Sequence, residues 1–134
     1  MRSRLIDLLL PACVALLAAG GATAAADLPT RSSTQAGVTV KATPRTVSGD
    51  AWEFEIVLDT HSQELKDDLV KGARLVVDGG ASYAPAAWQG DPPGGHHRKG
   101  VLRCKPISPQ PRAIELQVQR TGESAARSFR WRLR

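Results

Sequence analysis

Hydrophobic and polar positions alternate with a period of two along most of this chain, the pattern of strands with one face buried and the other in water. In AWEFEIVLD, residues 51–59, Trp52, Phe54, Ile56 and Leu58 share one face while Glu53, Glu55 and Asp59 share the other. The alternation returns at 113–120, with Ile114, Leu116 and Val118 inward, and at 127–134, with Phe129, Trp131 and Leu133 inward. Shorter candidates lie at 38–43, 74–77, 81–84 and 101–105. Together they make about seven strands punctuated by Pro and Gly, with Asp78-Gly79 as a tight hairpin turn. The expected fold is all-β, an immunoglobulin-like antiparallel β-sandwich.

One segment departs from that period. In THSQELKDDLVKG, residues 60–72, Leu65 and Leu69 are four apart and Asp67 precedes Lys71 by four. Thr60 with Gln63 can form a capping box, and Gly72 stands where a helix would stop. This spacing predicts a short helical crossover between the two sheets.

The first residues change the picture of where the protein works. Arg2 and Arg4 precede an apolar run from Leu8 to Ala19, and small residues end at Ala24-Ala25-Ala26. That is the layout of a signal peptide over residues 1–26, removed on export to the periplasm or the extracellular space, and the run is too short for a comfortable membrane span. Cys13 lies inside the apolar run rather than closing it, which argues against a lipid anchor. Residues 27–36 read as a loose N-terminal lead-in and 37–134 as one sandwich domain, with no transmembrane segment in the mature chain. The net charge of +5 becomes +4 when Arg2, Arg4 and Asp7 leave, a surplus that attracts anionic surfaces only weakly. Cys104 remains as a single cysteine, so no internal disulfide can form; it shares a strand face with Leu102 and is expected to be a buried free thiol.

The candidate chemistry gathers in GDPPGGHHRKG, residues 90–100. His96 and His97 lie there, and the third histidine, His61, follows Asp59-Thr60. A copper or zinc site could use His61 with His96 or His97, and Asp59 or Asp91 as an oxygen donor. Against it, neighbouring side chains in extended backbone point opposite ways, and no H-x-H, H-x-x-x-H or Cys-His spacing occurs. The plainer reading has one histidine packed on Trp88 or Tyr83, whose rings support the loop. The end of the strand at 51–59 and the start of the one at 101–105 can share a pole, so His61 is expected near the histidine pair.

No G-x-S-x-G, H-E-x-x-H, C-x-x-C or phosphate-loop pattern appears, so the chain is expected not to be an enzyme and to carry no catalytic residue. Asp67 and Asp68 read as solvated charges on a helix face. Arg127, Arg130, Arg132 and Arg134 read as the solvent side of the last strand, with Arg130 and Arg132 expected in a cross-strand ladder with Glu53 and Glu55.

The ordered segments DTHS, YAPAAW and GGHHRKGVL resemble a family of uncharacterised bacterial exported immunoglobulin-like domains with the motifs D-T-H-S, Y-x-P-x-x-W and G-G-H-H-R-x-G-V-L. The resemblance covers about residues 38–133. It implies a packing position at Cys104, where the family carries a large apolar residue. The expected role is a non-enzymatic binding or accessory module, monomeric, whose partner is an envelope protein rather than nucleic acid.

Overall fold

The alternating segments build strands where expected and at two further places. The computed structural model describes residues 28–134; the expected signal peptide and its cleavage site lie outside the described residues. In chain order these residues form β1 (Arg31–Gln35), β2 (Val38–Ser48), β3 (Ala51–Thr60), α1 (Leu69–Gly72), β4 (Ala73–Val77), β5 (Ser82–Tyr83), β6 (Ala87–Gly90), β7 (His97–Cys104), β8 (Ala113–Val118) and β9 (Arg127–Arg132). One sheet has the order β1-β2-β3-β7-β6 and the other β5-β4-β8-β9, all pairs antiparallel. The fold is an all-β sandwich of two sheets.

The core lies between the inward faces. Val38, Val40, Trp52, Phe54, Ile56, Leu58 and Leu102 from the first sheet meet Leu75, Ile114, Leu116, Val118, Phe129 and Trp131 from the second, all essentially excluded from water. Phe54 and Trp131 stack across the sheets at a tilt, ring centroids 6.0 Å apart, and the Trp131 indole N–H donates to the Pro29 carbonyl at 2.7 Å. Cys104 is buried beside them, and loss of solvation pushes its thiol pKa up to about 11. Its inward phase is as the sequence predicts.

Four expectations are corrected. The lead-in at 27–36 is not loose throughout, because Arg31–Gln35 pairs with β2 through a two-residue turn at Ala36-Gly37, both with positive φ. The strand is polar on both faces, so no alternation marks it. The helix expected over 60–72 shrinks to one turn capped by Asp68, whose side chain accepts from the Val70 and Lys71 amides. Thr60 forms no capping box; it ends β3 and its hydroxyl donates to the Gly37 carbonyl at 2.8 Å. Residues Leu65, Asp67 and Leu69 are buried while Lys66 and Asp68 are exposed, an extended pattern. A spacing of four satisfies a period of two as well as a helix, and Asp67 lies on the buried phase of the extended pattern. Lastly, Glu53 pairs with Arg103 at 3.2 Å and Glu55 with Arg45 at 2.6 Å, not with β9, because β3 and β9 belong to different sheets.

Arg127 is the fourth correction and the most consequential. Strict alternation places it in phase with Phe129 and Trp131, so it points inward and is 2% exposed. All five of its N–H donors are used: three reach the carbonyls of Ser33, Gln35 and Val38 at 2.9–3.0 Å, and two grip the Glu123 carboxylate at 2.8 and 2.9 Å. One side chain therefore ties the β1–β2 turn of one sheet to the β8–β9 turn of the other. Removing it takes both Arg127 hydrogen bonds from the Glu123 carboxylate and cuts the tie to the β1–β2 hairpin, a loss on the order of 3–5 kcal/mol.

The hydrogen bonds from Arg127 hold the Glu123 carboxyl below its ordinary range, with the Arg120 charge adding to them and burial opposing. A carboxylate whose folded pKa is depressed contributes stability that is present above its unfolded pKa and is lost as pH falls through the folded value. Urea unfolding midpoints are therefore expected to decline on acidification below about pH 4.5. Glu123→Gln is expected to flatten that decline, and Glu115, also depressed, to retain part of it. An unchanged slope in Glu123→Gln would contradict the clasp.

Candidate functional site

GDPPGGHHRKG is a hairpin and not a long loop. Gly90 ends β6, residues 91–96 turn the chain, and β7 already starts at His97, four residues before the strand expected at Val101. Asp91 sets this early start, since its amide donates to the Lys99 carbonyl at 3.0 Å and its carboxylate accepts from the Lys99 amide at 2.9 Å. The turn is then sewn to the crossover: the Leu65 amide donates to the Gly95 carbonyl, the Gly94 amide to the Leu65 carbonyl, and the Thr60 amide to the His96 carbonyl, at 2.6–2.9 Å. Two glycines in mutual register, Gly90 and Gly100, make room for the Trp88 ring on the inward side. A Cβ on Gly100 would lie 2.7 Å from Trp88 Cζ2 and 2.6 Å from the Gly90 Cα, so no larger residue fits there.

Beyond that ring the inward phase of β7 reaches Arg98, which is 1% exposed. Its guanidinium lies 5.6 Å from the Trp88 centroid and donates to the Asp67 carbonyl at 2.7 Å and the Asp91 carbonyl at 3.3 Å. Burial works against its charge, while Asp67, Asp91 and Asp68 favour it. The Asp67 carboxylate in turn pairs with Arg120 at 3.2 Å, both nearly excluded from water, and Arg120 approaches Glu123 at 3.7 Å. Thus Asp67 is not a solvated helix charge. Arg98, Asp67, Arg120, Glu123 and Arg127 form one chain of buried charge across the end of the sandwich. The buried side-chain polar atoms without a hydrogen bond among the described residues are Asp67 Oδ1, Arg98 Nε and Arg120 Nε, all within it.

The predicted site residues sort clearly around this clasp. His97 stands opposite Asp59 on the outer face of β3 and β7, and its Nδ1 meets the Asp59 carboxylate. His61 and His96 share that pole, linked by the Thr60–His96 backbone bond, and all three histidines are exposed. The metal set is not assembled: Asp59 is engaged with His97, Asp91 with the Lys99 amide, and no three His, Cys, Asp or Glu groups are placed to share an ion among the described residues. Trp88 supports the hairpin as expected, its indole N–H donating to the Asp91 carbonyl at 2.9 Å, but the cation on its ring is Arg98 and not a histidine. Tyr83 stands on edge strand β5 of the second sheet, 44% exposed, with no hydrogen bond to the hairpin. A shallow cavity of about 360 Å³ lies at this same pole between Gln35-Ala36 and residues 122–125.

Arg98, Asp67 and their pairing with Arg120 carry no local signal, because these partners are far apart in sequence, whereas Glu123 stands three and four residues from Arg120 and Arg127. The usable sign was phase, since Arg98 and Arg127 both sit on the inward beat of strands whose other members are apolar. Comparison with known families, with curated proteins and with solved structures gave no match.

A double-mutant cycle tests the clasp. Asp67→Leu is expected to cost about 3–5 kcal/mol in denaturant unfolding, because it removes the buried carboxylate that pairs with Arg120 and favours the Arg98 charge. Adding Arg120→Met is expected to recover a substantial part of that loss. Additive losses in the double variant would mean that the two residues do not act together.

Proposed function

We propose that this chain is a non-enzymatic exported module of the bacterial cell envelope, which binds another envelope protein through the pole bearing His61, His96 and His97. The observation that carries this reading is a contrast within a few residues. The backbone there is fixed by cross-loop hydrogen bonds and buried ion pairs, while the side chains of the three histidines and Asp59 face outward. A rigid backbone presenting exposed polar groups loses little entropy on binding.

The strand order supports an immunoglobulin-like assignment. With β1 as an added edge, β2-β3-β7-β6 facing β5-β4-β8-β9 follows the A-B-E-D and C′-C-F-G arrangement of that architecture. On that correspondence the β3–β4 and β8–β9 connections occupy the end at which variable domains carry binding loops. This is an analogy of fold, and it favours the same pole. Export is supported by the N-terminal sequence and by the resemblance of the three motifs; among the described residues no helix is long and apolar enough to cross a membrane. The non-enzymatic reading rests on the absence of recognisable catalytic patterns in the sequence, and Ser62 beside His61 makes no nucleophile–base pair by adjacency.

Immobilised protein incubated with an envelope extract should retain a defined partner. The His61→Ala/His96→Ala/His97→Ala variant is expected to unfold at nearly the same temperature and to retain that partner at least tenfold less well. Retention unaffected by the triple substitution, or no retained protein at all, would contradict the assignment.

A further inference from the structure

The opposite end of the second sheet carries a feature that the histidine pole does not use. On its outer face β8 and β9 form a cavity of about 640 Å³, with Val76 and Ala113 as its half-buried apolar lining and Arg31, Arg130 and Arg132 around it. A second hollow of about 520 Å³ continues it, sharing Ala113 and Arg132 and adding Arg112 and Arg134. The volume is that of a small-ligand site, and the floor is apolar with a polar rim.

Its charge is one-sided. Glu115 is the carboxylate in the lining, and it is already taken: Arg130 lies at 3.4 Å, Gln117 donates at 3.0 Å, and Ser128 donates as well. Those hydrogen bonds hold its carboxyl below the ordinary range, so it stays ionised. Arg31, Arg112, Arg132 and Arg134 are exposed and make no ion pair among the described residues. Two of them are aimed by backbone: Arg31 Nε donates to the Arg130 carbonyl at 3.2 Å, and Arg134 donates to the Gln110 carbonyl at 2.9 Å. Arg130 and Arg132, two residues apart on one strand face, stand roughly 7 Å from each other along the groove.

We propose that this groove binds a linear acidic polysaccharide through its carboxylates. Guanidinium forks match carboxylates in bidentate geometry, and charges recurring along a strand suit a ligand whose charges recur along a chain. The apolar floor between them accepts the C–H faces of sugar rings. A nucleic acid would ask for exposed aromatic rings to stack on, and the aromatic in the lining, Trp131, is 3% exposed. A membrane would ask for protruding apolar side chains, whereas these are recessed. The choice of an extracytoplasmic polymer rests on the exported reading; the groove itself does not depend on the histidine pole.

Calorimetric titration of the purified protein with oligogalacturonate tests the proposal. Binding is expected, weakening steeply as salt rises, with none for neutral dextran. Arg112→Ala/Arg132→Ala is expected to weaken it at least tenfold, whereas Lys41→Ala/Lys71→Ala, an equal loss of charge elsewhere, should change it less than twofold. The triple histidine variant should bind as the parent does, so that this proposal and the envelope-partner reading fail separately. No binding of oligogalacturonate, or equal weakening by both charge-removing pairs, would overturn the groove. So would tighter binding of a single-stranded oligonucleotide or of phosphatidylglycerol vesicles through Arg112 and Arg132.

Discussion

Guanidinium groups cannot be left unpaired in the interior of a protein, and this sandwich places three of them at one end. Arg98, Arg120 and Arg127 are each nearly excluded from water. Their donors have to find acceptors, and the nearest available ones are loop carbonyls and the carboxylates of Asp67 and Glu123. The paths of the β1–β2 turn, the crossover, the β6–β7 hairpin and the β8–β9 turn follow from that requirement. A buried ion pair adds little net stability compared with apolar packing, but losing one partner is expensive. The arrangement therefore specifies the pole more than it strengthens the fold, whose stability comes from the apolar layer between the sheets.

That division of labour separates the two surfaces on which function is proposed. At the clasped pole the backbone is committed and the exposed histidines and Asp59 are the groups left to meet a partner. At the far end of β8 and β9 the reverse holds, since there Arg31, Arg112, Arg132 and Arg134 are exposed and make no ion pair among the described residues, so the surface charge itself is the feature. Arg127 and Arg130 lie three residues apart on one strand and illustrate the difference: the inward one spends all five donors inside the molecule, and the outward one lies 75% exposed beside Glu115.

Most of the sandwich was legible because period two reports which face of a strand is buried. Trp52 to Leu58, Ile114 to Val118 and Phe129 to Trp131 are inward as the alternation predicts, and Cys104 is buried with Leu102. The losses have physical causes. β1 is polar on both faces and β6 is four residues flanked by turns, so neither shows alternation. Leu65 and Leu69 at a spacing of four fit both a helix and a strand, and Asp67, a charge on the buried phase between them, hides the strand pattern. The assumption that a charged residue faces water puts Arg127 outside although its phase puts it inside. The closeness of His61 to the histidine pair was legible from strand direction alone, whereas the Asp59–His97 pairing needed the start of β7, which Asp91 fixes through the Lys99 backbone.

The central claim is that the pole is rigid because buried charge and cross-loop hydrogen bonds hold it. Native-state hydrogen exchange read at individual amides tests this most directly, since Thr60, Leu65 and Gly94 donate the bonds that join the hairpin to the crossover and to the end of β3. The account predicts that these three exchange as slowly as the paired amides of β3 and β7 and open together with them. Exchange of the three at the rate of an unstructured chain, with β3 and β7 still protected, would contradict it.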